Sequence, residues 1–295
     1  MYALLVFVLL LVSVLIASAA LAWPLQTLLT LWFEPEFESV ISRTVLGLGI
    51  LVFLAVFRKV GFSSWRDIGF GPGFRQFWGD AARGFAAGIL IMAPVVAGLL
   101  LVQNRVPDLN WDWSAGSLAA LLASALVAGS IVALIEETLF RGALLTAVLR
   151  RSSVLLAVVS TSLFYSLVHF LQPEQELDPR SLDWTSGFVL LLDAVVTLLK
   201  PLLYLDTLIA LFFAGMLLAL IRIRTGSLAI CIGIHAGWVF AIKIFKRLTN
   251  SNDTSPFAFL TGTYDHVTGY LAAACLLAAI LVYMKISQRS RTECP

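Results

Sequence analysis

Residues 118–141 read LAALLASALVAGSIVALIEETLFR: no charge from Leu118 to Ile135, then adjacent glutamates, Glu136 and Glu137, and an arginine, Arg141, four positions after the second. An uninterrupted apolar run of this length is that of a membrane-spanning helix. An ionisable group at bilayer depth costs about 2.5–3.5 kcal/mol on insertion scales, so two acids and a base there mark a functional site.

Composition extends this reading to the whole chain. Of its 295 residues, 60% are hydrophobic and 13% charged, and mean hydropathy is +0.93, far from a soluble globular domain. A net charge of +2 gives no basic footprint for nucleic acid. Cys231, Cys275 and Cys294 are far apart and have neither metal-ligand nor disulfide spacing. The expected fold is all-α and polytopic, a single membrane domain over 1–295. About eight transmembrane helices are expected, near 3–22, 41–57, 85–103, 117–139, 153–171, 201–221, 226–245 and 267–284. The short apolar stretch 187–199, ending at Lys200-Pro201, reads as an interfacial or re-entrant helix. Gly61–Gly84 mixes aromatic and basic residues as a segment lying on the membrane surface would. The first apolar run has small residues near its end but no basic residues before it, so it reads as a retained helix rather than a cleaved signal.

Charge sets the expected orientation. Arg58, Lys59, Arg66, Arg75 and Arg83 fall between spans two and three, Arg150 and Arg151 after span four, and Arg222 and Arg224 after span six. The positive-inside rule puts these in the cytoplasm, with both termini on that side, most simply in a bacterial inner membrane. Glu34, Glu36, Glu38, Asp108, Asp112, Glu174, Glu176, Asp178 and Asp183 occupy the alternate loops. Lys243, Lys246 and Arg247 conflict with this scheme, falling at the outer end of span seven.

On one continuous helix Glu137 and Arg141 share a face, with the acid N-terminal to its partner as the i,i+4 pair prefers. Glu136 is rotated about 100° from Glu137, which frees it to face a cavity. Two further ionisable residues, His169 and His235, lie in apolar segments. Counting from the turn at Arg150-Arg151, Glu136 and His169 reach similar depth on antiparallel helices, and His235 an overlapping one. The bland alternative is structural: buried ion pairs lock helices, and lone membrane histidines are commonly interhelical hydrogen-bonding groups.

At these residues the chain resembles the CPBP membrane proteases, also called the CAAX-protease or Abi family. The motif E-E-x-x-x-R stands as Glu136-Glu137-Thr138-Leu139-Phe140-Arg141. F-x-x-x-H is matched by Tyr165 to His169, with Tyr for Phe. H-x-x-x-N or H-x-x-x-D is half matched, since His235 is followed by Val239. The resemblance covers about 117–245 and implies a glutamate-type intramembrane endopeptidase acting on a membrane-associated protein or peptide, its catalytic residues on helices four, five and seven. It implies Glu136 as the base that activates water, His169 holding that water, Glu137 and Arg141 orienting the site, and His235 stabilising the oxyanion. Val239 cannot supply the expected polar contact, and Trp238 offers an indole donor beside it.

No cofactor is expected. The metal alternative is zinc on Glu136, His169 and His235, but without an H-E-x-x-H spacing. Ser160, Ser162 and Ser166 lack the G-x-S-x-G context of a serine nucleophile. Outside enzymes, the alternatives are a proton-coupled transporter, to which Asp193, Lys200 and Asp206 would add charges, and a non-catalytic scaffold on a protease fold.

Overall fold

Apolar runs bounded by Ser, Gly and Pro become helices, and in lipid each must satisfy its own backbone. The computed structural model describes residues 2–71, 73–173 and 175–292, so Glu174 and Cys294 lie outside the described residues. The helices are α1 (Tyr2–Leu29), α2 (Phe37–Val56), α3 (Phe74–Leu101), α4 (Ala115–Glu137), α5 (Leu145–Leu149), α6 (Val154–Val168), α7 (Ser186–Leu198), α8 (Leu205–Thr225), α9 (Leu228–Leu248) and α10 (Tyr270–Thr292). A π-helical turn, Thr138–Leu144, joins α4 to α5 without a break. Two short strands, β1 (Arg105–Pro107) and β2 (Thr249–Ser251), pair antiparallel.

Among the described residues seven helices are long and apolar enough to cross a membrane, and the chain is an integral membrane protein. The fifth expected span, 153–171, is the shorter α6. Its start is fixed by Ser153, whose Oγ accepts from the Leu156 N–H at 3.3 Å. It ends in a turn at His169-Phe170 shortly before Pro173. The apolar stretch 187–199 is the short helix α7. The fourth span does not stop at 139 but runs on to Leu149. Instead of one surface segment over Gly61–Gly84, turns lead to Gly71, and α3 then begins at Phe74. The N-terminus of α4 is set by Ser114, whose Oγ accepts from the Ser117 N–H at 3.2 Å. Hydroxyls of Ser117 and Ser114 hold the Asp112 carboxyl below its ordinary range.

The chain divides into two compact units. The first comprises Met1–Ser63, Ala147–Ser152 and Leu167–Leu202. Here α1 packs along α2 and α7 around Ala22, Phe37 and Leu190. Trp23 meets Trp184 with ring centroids 4.8 Å apart and planes tilted by 46°, and donates to the Leu182 carbonyl at 3.1 Å. Arg150 donates to the Gly61 carbonyl at 2.8 Å, and Arg151 lies over Tyr2 at 5.5 Å. The start of α1, the loop after α2 and the turn after α5 therefore share one side.

The second unit comprises Ser64–Thr146, Ser153–Ser166 and Leu203–Pro295. At one end Arg222 lies beneath Gly69, which has φ +97°, and the Leu228 N–H donates to the Gly69 carbonyl at 3.0 Å. At the other end the β1–β2 ribbon ties the segments after α3 and α9 together. Buried Arg105 secures it, donating to Thr249 Oγ1 at 2.7 Å and Ser251 Oγ at 3.0 Å. Two of the three basic residues that conflicted with the charge scheme have local partners at this end. Lys243 donates to the Ser124 carbonyl at 3.1 Å, and Arg247 lies over Trp111 at 4.6 Å.

Candidate active site

Helix α9 carries His235, and glycines set its position. Gly233 and Gly237 face α3, and Gly84 and Gly88 of α3 face α9, two small-xxx-small pairs that bring the backbones together. A Cβ on Gly237 would fall 2.5 Å from the Phe85 carbonyl oxygen. On the α4 side a Cβ on Gly129 would fall 2.9 Å from the Ala236 oxygen and 3.5 Å from the Val239 Cβ. Val239 thus packs against α4. His235, between the two glycines in sequence, is 5% exposed.

The last turn of α4 presents the glutamates to it. Glu137 is fully buried, whereas the Glu136 side chain keeps 25% of its exposure, a difference that follows from their 100° offset. One oxygen of Glu137, Oε1, accepts from Arg141 Nη1 at 2.9 Å and lies 2.8 Å from His235 Nδ1. His235 Nε2 lies 3.9 Å from Glu136 Oε2. The Arg141 guanidinium, within the π turn, stacks on Tyr165 at 4.0 Å. Tyr165, on α6, meets the His235 ring edge-on at 6.4 Å, and Trp238 stands 6.3 Å from the same ring. Gly142 follows where a Cβ would lie 3.2 Å from the Ile68 oxygen.

The structure therefore brings Glu136, Glu137, Arg141, Tyr165, His235 and Trp238 together. It adds a contact that motif spacing does not give, the shared Glu137 oxygen. His169 belongs to the first unit, half-buried in the turn after α6, and its place in the site rests on sequence resemblance. Among the described residues no three His, Cys, Asp or Glu side chains are grouped as ligands for a metal ion. Ser160 and Ser166 direct their hydroxyls to the carbonyls of Ala157 and Leu163 on their own helix, as packing serines do. Asp206 accepts from the Thr263 N–H at 2.9 Å and its hydroxyl at 3.0 Å, anchoring the loop before α10. The glycine pairs were readable as Gly84-x-x-x-Gly88 and Gly233-x-x-x-Gly237, a signal the motif search passed over.

With Glu137 ionised beside the permanently charged arginine, its oxygen accepts and the hydrogen bond it shares with His235 takes its proton from Nδ1. The ring is held in one orientation, with Nε2 toward Glu136. A fixed imidazole beside a less buried carboxylate is an arrangement suited to acid–base chemistry.

Residues 116–241, somewhat under half of the chain, match the family model described as type II CAAX prenyl endopeptidase Rce1-like. The resemblance carried by the three motifs is borne out, and the match supports a protease function of the CAAX intramembrane kind. No curated protein matches the chain, and no solved structure does.

Proposed function

We propose, for a chain whose residues 116–241 belong with the Rce1-like type II CAAX prenyl endopeptidases, that Glu136 activates water to cleave a peptide bond in a membrane-associated protein or peptide. The observation that carries this reading is the Glu137 oxygen held between Arg141 and His235, at 2.9 and 2.8 Å, with His235 Nε2 3.9 Å from Glu136.

Glu136 takes a proton as the water oxygen adds to the carbonyl carbon, and the carbonyl electron pair moves onto its oxygen. With Nδ1–H committed to Glu137, Nε2 carries a proton only when the ring is cationic. Imidazolium flanked by two carboxylates supplies that donor to the oxyanion. Collapse breaks the C–N bond, and the leaving amine takes the proton from Glu136. Arg141 balances the charge of Glu137, and Tyr165 holds the guanidinium by its ring face. His169 enters from the resemblance as a second holder of the water. No metal is required by this scheme.

The substrate class is a prenylated C-terminal peptide, as in the description of the matched family. A bacterial inner membrane, with both chain ends in the cytoplasm, is supported by the sharing of one side by Arg150, Arg151 and the loop after α2.

The test is cleavage of a farnesylated CAAX peptide by protein reconstituted in liposomes, read by mass spectrometry. Wild type should shorten the peptide. Glu136→Gln should yield no product while inserting and unfolding as wild type does. Undiminished cleavage by that variant would refute the role of Glu136.

A further inference from the structure

Polar atoms without partners gather around one histidine. Glu137 Oε2, Arg141 Nη2 and Trp238 Nε1 are all buried and have no hydrogen-bond partner, and all three side chains adjoin His235 or the residue it is bonded to. The first two belong to groups already engaged through another atom. Trp238 Nε1 is different, because an indole has a single N–H and no other means of satisfying it. The residue is 5% exposed, so solvent does not supply the acceptor. Trp23, by contrast, donates its N–H to the Leu182 carbonyl, whereas the Trp111 N–H, on a ring covered by Arg247 at 4.6 Å, is likewise buried without a partner. Buried donors are nearly always paired, and one left over beside a reactive centre points to an acceptor that arrives with a ligand.

Position agrees. Trp238 lies three residues beyond His235 on α9, one turn along the same face, about 4.5 Å further up the helix. Its flank packs into the core formed by Met92, Val95, Leu218 and Leu276, which holds the indole rigidly. Val239 is turned to α4 and has no hydrogen to donate.

We propose that the Trp238 indole N–H is a substrate-contacting donor, taking the scissile carbonyl oxygen together with cationic His235 as negative charge develops there. The proposal rests on the protease reading above and assigns that site a second oxyanion donor. A rigid indole is well suited to this role, because a donor fixed before the reaction needs no reorganisation during it.

The experiment is Trp238→Phe, which removes the N–H and keeps an aromatic ring, assayed in liposomes with the farnesylated CAAX peptide. The expected result is a fall in kcat of about 10²-fold, the usual effect of losing one such donor, with KM within about twofold and the unfolding midpoint retained. A packing role predicts the reverse: altered unfolding with kcat near wild type, and that result overturns the proposal. A second readout does not depend on turnover. In Glu136→Gln protein labelled with ¹⁵N at its indoles, the Trp238 N–H signal, assigned by its absence from Trp238→Phe, should move downfield when the same peptide is added. An unmoved signal under saturating peptide also overturns the proposal. Wild-type protein that binds the peptide with this shift yet does not cleave it would instead refute the protease reading.

Discussion

Arg141→Ala takes the cation from a carboxylate with no exposure. The two side chains are 3% and 0% exposed, and Nη1 lies 2.9 Å from Oε1. Since Glu137 Oε2 has no partner, the hydrogen bonds that hold the carboxylate both fall on Oε1. Removing one member of a buried pair costs about 3–5 kcal/mol, and the lost stacking on Tyr165 at 4.0 Å adds about 1 kcal/mol. Two effects pull the other way. His235 still donates to Oε1, and an unfolded chain within the bilayer finds alternative partners, which brings interhelical hydrogen bonds down to about 0.6 kcal/mol on average. The ionic contribution exceeds that discount, giving an expected loss of about 3 kcal/mol, roughly a hundredfold in the folding equilibrium. That is a large part of an ordinary domain's 5–15 kcal/mol, more than half of the margin at the lower end. Reversible unfolding in bicelles titrated with a denaturing detergent, followed by tryptophan fluorescence, measures it. The double variant Glu137→Gln/Arg141→Met removes both charges and keeps an acceptor for His235, so it should regain most of the loss while remaining inactive. Stability of Arg141→Ala within about 1 kcal/mol of wild type would refute the reasoning. So would a double variant no more stable than the single one.

Gly237→Ala places a methyl 2.5 Å from the Phe85 carbonyl oxygen and should destabilise the protein by about 1–3 kcal/mol and reduce cleavage, whereas Gly47→Ala, with nothing within 4 Å of its Cβ, should do neither. Unfolding and cleavage assays on the pair test the helix contact. Tyr165→Phe keeps the ring over Arg141 and should retain cleavage within about threefold, while Tyr165→Leu should lower both activity and stability by the loss of about 1–2 kcal/mol of cation–π attraction. Cleavage should persist after treatment with strong zinc chelators, and activity lost to chelation and restored by zinc would replace the glutamate scheme with metal-assisted hydrolysis.

Most helices were legible because a bilayer imposes both length and composition on any crossing segment. Their ends were less so. The π turn leaves no compositional trace, because its distinguishing feature is a shifted hydrogen bond rather than a residue type. The short α6 looked longer because Phe170 and Leu171 continue the apolar run past its end, into a turn that only Pro173 foreshadows. In the site, Glu137–Arg141 could be read from i,i+4 spacing, but the bond from His235 to Glu137 could not. It depends on how α9 rotates against α4, and the glycines that fix this rotation act by what they lack. Trp238 was legible as a donor and not as a buried, unpartnered one.

The different surroundings of the two glutamates follow from a row on α4. Leu121, Ala125, Gly129, Ala133 and Glu137 are its buried residues, spaced every four, and Arg141 continues the series into the π turn. Rows of this spacing are the ridges along which helices cross, and the small side chains in this one let α9 come within reach of Gly129 and Ala133. A residue at the next position of the row is carried against α9 by the same packing. Glu137 occupies that position, so it meets His235, keeps its bond to Arg141, and is closed off from solvent. Glu136 stands one residue off the row, retains part of its exposure, and reaches the far nitrogen of the same ring. Exchanging their roles would require α9 to cross α4 along a different ridge, one without the small residues that permit the approach. The helix packing thus closes Glu137 in against His235 and leaves Glu136 partly exposed.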